Sequence, residues 1–217
     1  MRLVLIAALS AVAGLACTPT EPGYSGYPVT DFFPLDGVRE WSFRSADATV
    51  PYELVGTKPL EGVTATDDGF TQIFDIRFEQ VCISEDESCV DGEFAFAWQQ
   101  SASQDRGAFL WGYETPAGAV TFDPPVKLAD RRTKVGDVMT TETGGHTWTA
   151  TFLMTADCEV VWNPNWTNCM VLVIDDGGEG GGFAGTYWLA TGYHIVAFER
   201  EGLPARWSLS NHEYAEF

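Results

Sequence analysis

Apolar side chains recur at every second position through most of this chain, and that period decides the fold class. Phe70, Phe74, Ile76 and Phe78 alternate with Thr71, Asp75, Arg77 and Glu79. Phe94, Phe96 and Trp98 repeat the pattern, as do Phe109, Trp111 and Tyr113. Trp148, Ala150, Phe152 and Met154 alternate with Thr147, Thr149, Thr151 and Thr155. A strand sends successive side chains to opposite faces, so such rows mark strands with one buried face and one wet face. Asp67-Asp68-Gly69, Pro116-Ala117-Gly118, Gly144-Gly145, Asn163-Pro164-Asn165 and Gly202-Leu203-Pro204 punctuate the rows as turns. No amphipathic helix is evident after the first residues. The expectation is an all-β domain, predominantly antiparallel, built as a sandwich, a curved half-barrel or a barrel.

The first residues follow a different rule. Arg2 and the free amine precede an apolar run from Leu3 to Leu15, broken by Ser10 and Gly14. The run is shorter than the roughly 20 residues a membrane span needs. With Ala16 as the small residue before a cut, residues 1–16 read as an export signal. Ala13-Gly14-Leu15-Ala16-Cys17 resembles the lipobox of bacterial lipoproteins, which implies a lipid on Cys17. Residues 17–28, rich in Pro, Gly and Ser after the cysteine, read as a tether, and 29–217 as one β domain.

Cysteine usage agrees with export. Beside Cys17 stand Cys82, Cys89, Cys158 and Cys169, an even set. In an oxidising compartment such a set is read as disulfides. Four cysteines allow three pairings, and the close spacings favour Cys82–Cys89 and Cys158–Cys169, each at the base of a hairpin. A zinc site from all four is disfavoured, because neither pair has the short spacing structural zinc prefers. Twelve Lys and Arg face 31 Asp and Glu, a net charge of −19, and loss of Arg2 with the leader makes it −20. Such a surface repels nucleic acid and anionic lipid heads.

Several segments resemble uncharacterised bacterial envelope lipoproteins. Phe33-Pro34-Leu35-Asp36-Gly37-Val38-Arg39-Glu40-Trp41 is similar to their F-P-L-x-x-G-x-x-W opening. Val135-Gly136-Asp137, Trp166 to Val173 and the aromatic hairpin Tyr187 to Glu199 follow in the same order. The resemblance implies a β-rich domain at the envelope of a Gram-negative bacterium, membrane-bound through its N-terminal lipid. Thr18 stands where aspartate signals inner-membrane retention in that class, so the outer membrane is the expected destination.

The sequence carries no recognisable catalytic signature. His146, His194 and His212 form no H-E-x-x-H or other close ligand pair. There is no G-x-S-x-G, S-x-x-K or G-x-x-x-x-G-K. Gly180, Gly182 and Gly185 match G-x-G-x-x-G by spacing, but the aromatic segment after them reads as strand, with no helix N-terminus to hold a phosphate. The acidic loop Asp175 to Glu179 has oxygen donors that suit calcium but lacks the EF-hand register, so it reads as a solvated loop. Asn165-Trp166-Thr167 is a glycosylation sequon that matters only outside bacteria. No cofactor or metal is expected. The first reading is therefore a non-enzymatic structural or binding domain. The alternatives are a carrier of an apolar ligand in a half-open barrel and a hydrolase with an unrecognised site.

Overall fold

The computed structural model describes residues 26–34, 38–58, 64–65, 72–84, 89–153, 158, 160, 169–178 and 182–214. The strands, in chain order, are β1 Tyr27–Pro28, β2 Val38–Ser45, β3 Tyr52–Thr57, β4 Thr64–Ala65, β5 Gln72–Cys82, β6 Phe94–Ser103, β7 Gly107–Thr115 and β8 Gly118–Ala129. They continue with β9 Arg132–Thr133, β10 Val138–Thr143, β11 His146–Leu153, β12 Met170–Asp175, β13 Gly185–Ala190, β14 His194–Arg200 and β15 Trp207–Tyr214. One short helix, α1 Val29–Phe32, lies between β1 and β2.

The expected all-β antiparallel architecture is present, in its barrel form. Twelve strands follow one another in the order β10-β11-β12-β13-β14-β15-β2-β3-β5-β6-β7-β8, with β4 paired to β5. The ends of that path meet. The Lys127 amide of β8 donates to Thr141 Oγ1 of β10 across 3.0 Å, so the barrel is nearly closed. The seam has a cause in the sequence. Pro124 and Pro125 of β8 have no N–H to give a ladder, and proline in a sheet belongs at an edge.

Eight strands already enclose about as much space as ordinary side chains fill. Twelve enclose more, and large aromatics occupy the difference. Trp41, Phe43, Phe78, Trp98, Phe198 and Trp207 are all buried. Phe78 stacks on Phe96 at 4.6 Å between ring centres, and Phe43 meets Phe198 edge-on at 5.0 Å. Gly56 of β3 lies opposite Phe78, whose ring occupies the space a Cβ would take. Outside, the faces are charged. Arg44 pairs with Glu53, Arg77 with Glu79 at 3.2 Å, and Arg206 with Glu199 at 2.7 Å. This is the reverse of a membrane-spanning barrel, whose outer band is apolar.

Three of the five expected turns fall among the described residues, and each lies between successive strands. Gly144 and Gly145, with φ of 62° and 85°, join β10 to β11 as the left-handed pair that a two-residue hairpin requires. Pro116-Ala117 joins β7 to β8, and Gly202-Leu203-Pro204 lies between β14 and β15. Cys82–Cys89 and Cys158–Cys169 are both bonded, as the spacing predicts.

Two readings need correcting. Phe109, Trp111 and Tyr113 do not share one inward face. Ala108 and Leu110 are the buried residues at the start of β7, while Phe109 and Trp111 are only half-buried. Trp111 Nε1 donates to Ser101 Oγ of β6 at 2.8 Å. A register shift between Leu110 and Gly112 then brings Tyr113 against Phe122, at 5.8 Å. A bulge adds one residue to a strand and so exchanges its faces. The second correction concerns the tether. Tyr27 and Pro28 pair with Thr133 and Arg132, and Val29 to Phe32 form the helix, so the ordered domain starts before residue 29. The segments 1–25, 35–37, 66–71, 161–168 and 179–181 lie outside the described residues. With them lie Cys17, the sequon, two of the expected turns and Glu179.

Candidate functional site

The two ends of the barrel differ. One is plugged. The Gly192 amide donates to the Asp31 carbonyl of α1 at 2.7 Å, and the Val29 amide donates to the Arg131 carbonyl at 3.0 Å. Phe32 and Phe33 are buried beneath this cap. Just inside it, His194 Nε2 lies 3.2 Å from Gln100 Oε1, with the rings of Phe33 and Trp41 at 5.5 and 5.8 Å. Burial, with Lys58 nearby, pushes the His194 imidazole down to about pKa 3, so it is neutral at physiological pH. A neutral, sealed imidazole with an amide for a partner is a packing element, not a general base.

That sealing has a pH signature. Between about pH 3 and 6.5 an unfolded His194 binds a proton that the folded one refuses. Stability contributed by this group is therefore complete above 6.5 and falls as pH falls through that window. From pH 7 to pH 5 the loss is expected to be ~2 kcal/mol. His194 has φ of 67°, a conformation asparagine tolerates. Urea titrations at the two pH values should show a smaller pH difference in His194→Asn than in wild type. An unchanged difference would remove His194 from the account.

Among the described residues the other end is open. Here lie the β7–β8 hairpin, the start of β6, the end of β14 and the residues leading into β13. Together they surround a cleft of about 660 Å³. Its walls are mainly apolar, with Ala95, Phe96, Tyr113, Val120 and Leu203 among them. Arg200 lines it too, yet is only 7% exposed. The inward parity of β14 explains the placement. His194 to Phe198 are all buried, but it is Phe198 that meets the inner rings of Phe43 and Phe96, and Arg200, two residues on, faces the same way.

The Arg200 guanidinium lies 4.1 Å from the Phe96 ring centre and 5.6 Å from that of Phe183. Nη2 donates to the Gly182 carbonyl. Among the described residues Nε and Nη1 have no acceptor. No carboxylate among the described residues pairs with it, and burial lowers its pKa from the usual guanidinium value. The nearby hydroxyls do not compensate. Tyr187 Oη donates to the Phe183 carbonyl at 2.5 Å, and its own pKa is raised by burial. Tyr113, lining the cleft, is also held above its ordinary value, chiefly by burial.

The other residues considered from sequence are scattered. Asp175 and Asp176 each accept from a following glycine amide, Gly177 at 2.8 Å and Gly178 at 3.1 Å. That is turn geometry for each Oδ1, and the buried Asp176 also lies near enough to Tyr113 of the cleft to raise its pKa. Gly182 gives its carbonyl to Arg200, and Gly185 opens strand β13, so the glycine spacing cradles no phosphate. His146 stands at the start of β11, three strands away from His194 in β14, whereas His212 lies in β15, the strand next to β14, where it pairs with Trp41. Asp75 is held above the usual carboxyl range by partial burial and by Glu114. Among the described residues no three His, Cys, Asp or Glu come together as a metal site.

Arg200 is the residue that sequence reasoning passed over. Its signal was present: a lone cation at the end of His194-Ile195-Val196-Ala197-Phe198-Glu199, on the same parity as three buried positions. Comparison with known proteins adds no name to this geometry, because no family model, curated protein or solved structure matches the chain.

Proposed function

We propose that this chain is a lipid-anchored envelope protein whose barrel binds rather than catalyses, with the open end as its working surface. The observation that carries the reading is a packed interior beside a cleft at the Arg200 end, with a buried cation on the wall of that cleft. A carrier of long acyl chains needs an apolar chamber along the barrel axis, and aromatic rings occupy that space. A hydrolase needs a base or nucleophile at a cleft. The described cleft presents Arg200, Tyr113 and apolar walls, with Thr115 and the exposed Glu201 beside them and no histidine or cysteine on its lining. The cleft volume suits a small organic molecule held by a few polar groups.

Anchoring rests on the order of charge, apolar run, small residues and Cys17 at the N-terminus. Two or three acyl chains on one cysteine would hold the protein firmly, where one chain binds marginally. Expressed in a Gram-negative host, the wild-type chain should fractionate with the outer membrane, and mass spectrometry should find an acylated Cys17 at its N-terminus. Cys17→Ser should lose both the acyl mass and the membrane association. A soluble wild-type protein beginning at an unmodified residue would end the anchor and leave export standing.

A further inference from the structure

A buried cation without a counter-charge is a cost that folding alone does not explain. Desolvating a guanidinium costs several kcal/mol unless an anion and hydrogen bonds compensate. The Phe96 and Phe183 rings and the Gly182 carbonyl compensate in part. Of the buried polar side-chain atoms without a partner among the described residues, those of Arg200 are the charged ones. Gln100 Nε2, Trp98 Nε1 and the rest are neutral. Arg200 also lines the one end of the barrel that α1 does not plug. A methionine would fill the same space without the penalty.

We propose that the open end binds a small organic carboxylate. Its carboxyl group lies against the Arg200 guanidinium, and its apolar or aromatic body lies against Phe96, Tyr113 and Leu203. This deepens the reading of the open end as a binding surface and rests on it. The chemistry selects the class. The incoming carboxylate supplies the missing acceptor and the missing charge, and charge-assisted bonds of this kind are about twice as strong as neutral ones. One guanidinium neutralises one negative charge, whereas a doubly charged phosphate would be left half-compensated in a chain of net charge −19. The same net charge disfavours bare anions such as acetate, so affinity must come largely from the apolar walls. Arg200 opposes a cation at its own wall, the exposed Glu201 standing at the rim of the cleft.

The test uses 4-phenylbutyrate and its neutral amide as probes, titrated calorimetrically into the purified full chain. The acid should bind, and the amide should bind at least tenfold more weakly. Arg200→Met should weaken the acid at least tenfold and leave the amide unchanged. Without ligand, that variant should melt at or above the wild-type temperature, because it removes a buried charge. Val120→Trp, placed at the exposed rim of the cleft, should weaken both probes. If acid and amide bind equally and Val120→Trp weakens both, the cleft is a binding surface but the carboxylate inference is wrong. If neither probe binds, or Val120→Trp changes nothing, both the inference and the binding reading fall. An Arg200→Met protein that folds and binds the acid as tightly as wild type would make the arginine a structural residue and overturn the proposal. Should that variant fail to fold, the acid–amide comparison and Val120→Trp still decide.

Discussion

Replacing Gly107 by alanine is expected to cost at least about 3 kcal/mol and to leave little cooperative unfolding in a urea titration. Gly107 begins β7 with φ of 103°, where an L side chain is strained. A Cβ there would also lie 2.1 Å from the Ala129 carbonyl oxygen. That oxygen is backbone of β8, whose Ala129 pairs with Ala108, so it cannot swing aside as a side-chain tip would. Gly92 is the control. Its φ of 76° is equally left-handed, but a Cβ there meets nothing within 4 Å. Gly92→Ala should cost only the conformational penalty, about 1–2 kcal/mol. Equal effects at the two positions would show that φ alone matters and that the β7–β8 approach does not.

The second large effect concerns the aromatic filling. Trp98 is 1% exposed and touches three rings, Phe78 at 4.8 Å, Phe96 at 5.5 Å and Phe183 at 5.2 Å. Trp98→Ala removes those contacts and opens a void, at a cost of roughly 3–5 kcal/mol. Trp98→Phe should cost much less, because it keeps a ring and discards an indole N–H that has no acceptor. Trp111→Ala, on the half-buried outer face, should fall well below Trp98→Ala. Denaturant midpoints for the three variants would check the order. If Trp111→Ala cost more than Trp98→Ala, the assignment of inner and outer faces in β6 and β7 would be wrong.

That comparison also marks where sequence reading stops. Periodicity identified the strands, because half-buried strands must alternate, and the turns fell at residues whose backbones permit them. Disulfide pairing was legible from spacing, since seven and eleven residues of separation suit hairpin bases. The face of β7 was not legible. Phe109, Trp111 and Tyr113 obey the alternation perfectly, but the bulge beside Trp111 depends on how β8 passes its two prolines, a pairing no local window contains. Barrel closure was equally hidden, because it needs the first and last strands of the path to meet. The cleft followed the same logic. Asp175, Asp176 and the glycine run drew attention as a motif. Arg200 became notable only when the fold buried it without a counter-ion.

The topology sets one further consequence. An odd number of passes would put the entrance and exit of a barrel on opposite rims. Here the chain enters beside Arg132 through Tyr27 and departs through Tyr214, which pairs with Val38 at that same rim. Every loop at the Arg200 rim therefore returns into the barrel. A rigid graft made directly at Tyr27 or at Tyr214 would emerge on the α1 side, with the cleft at the far end of the barrel.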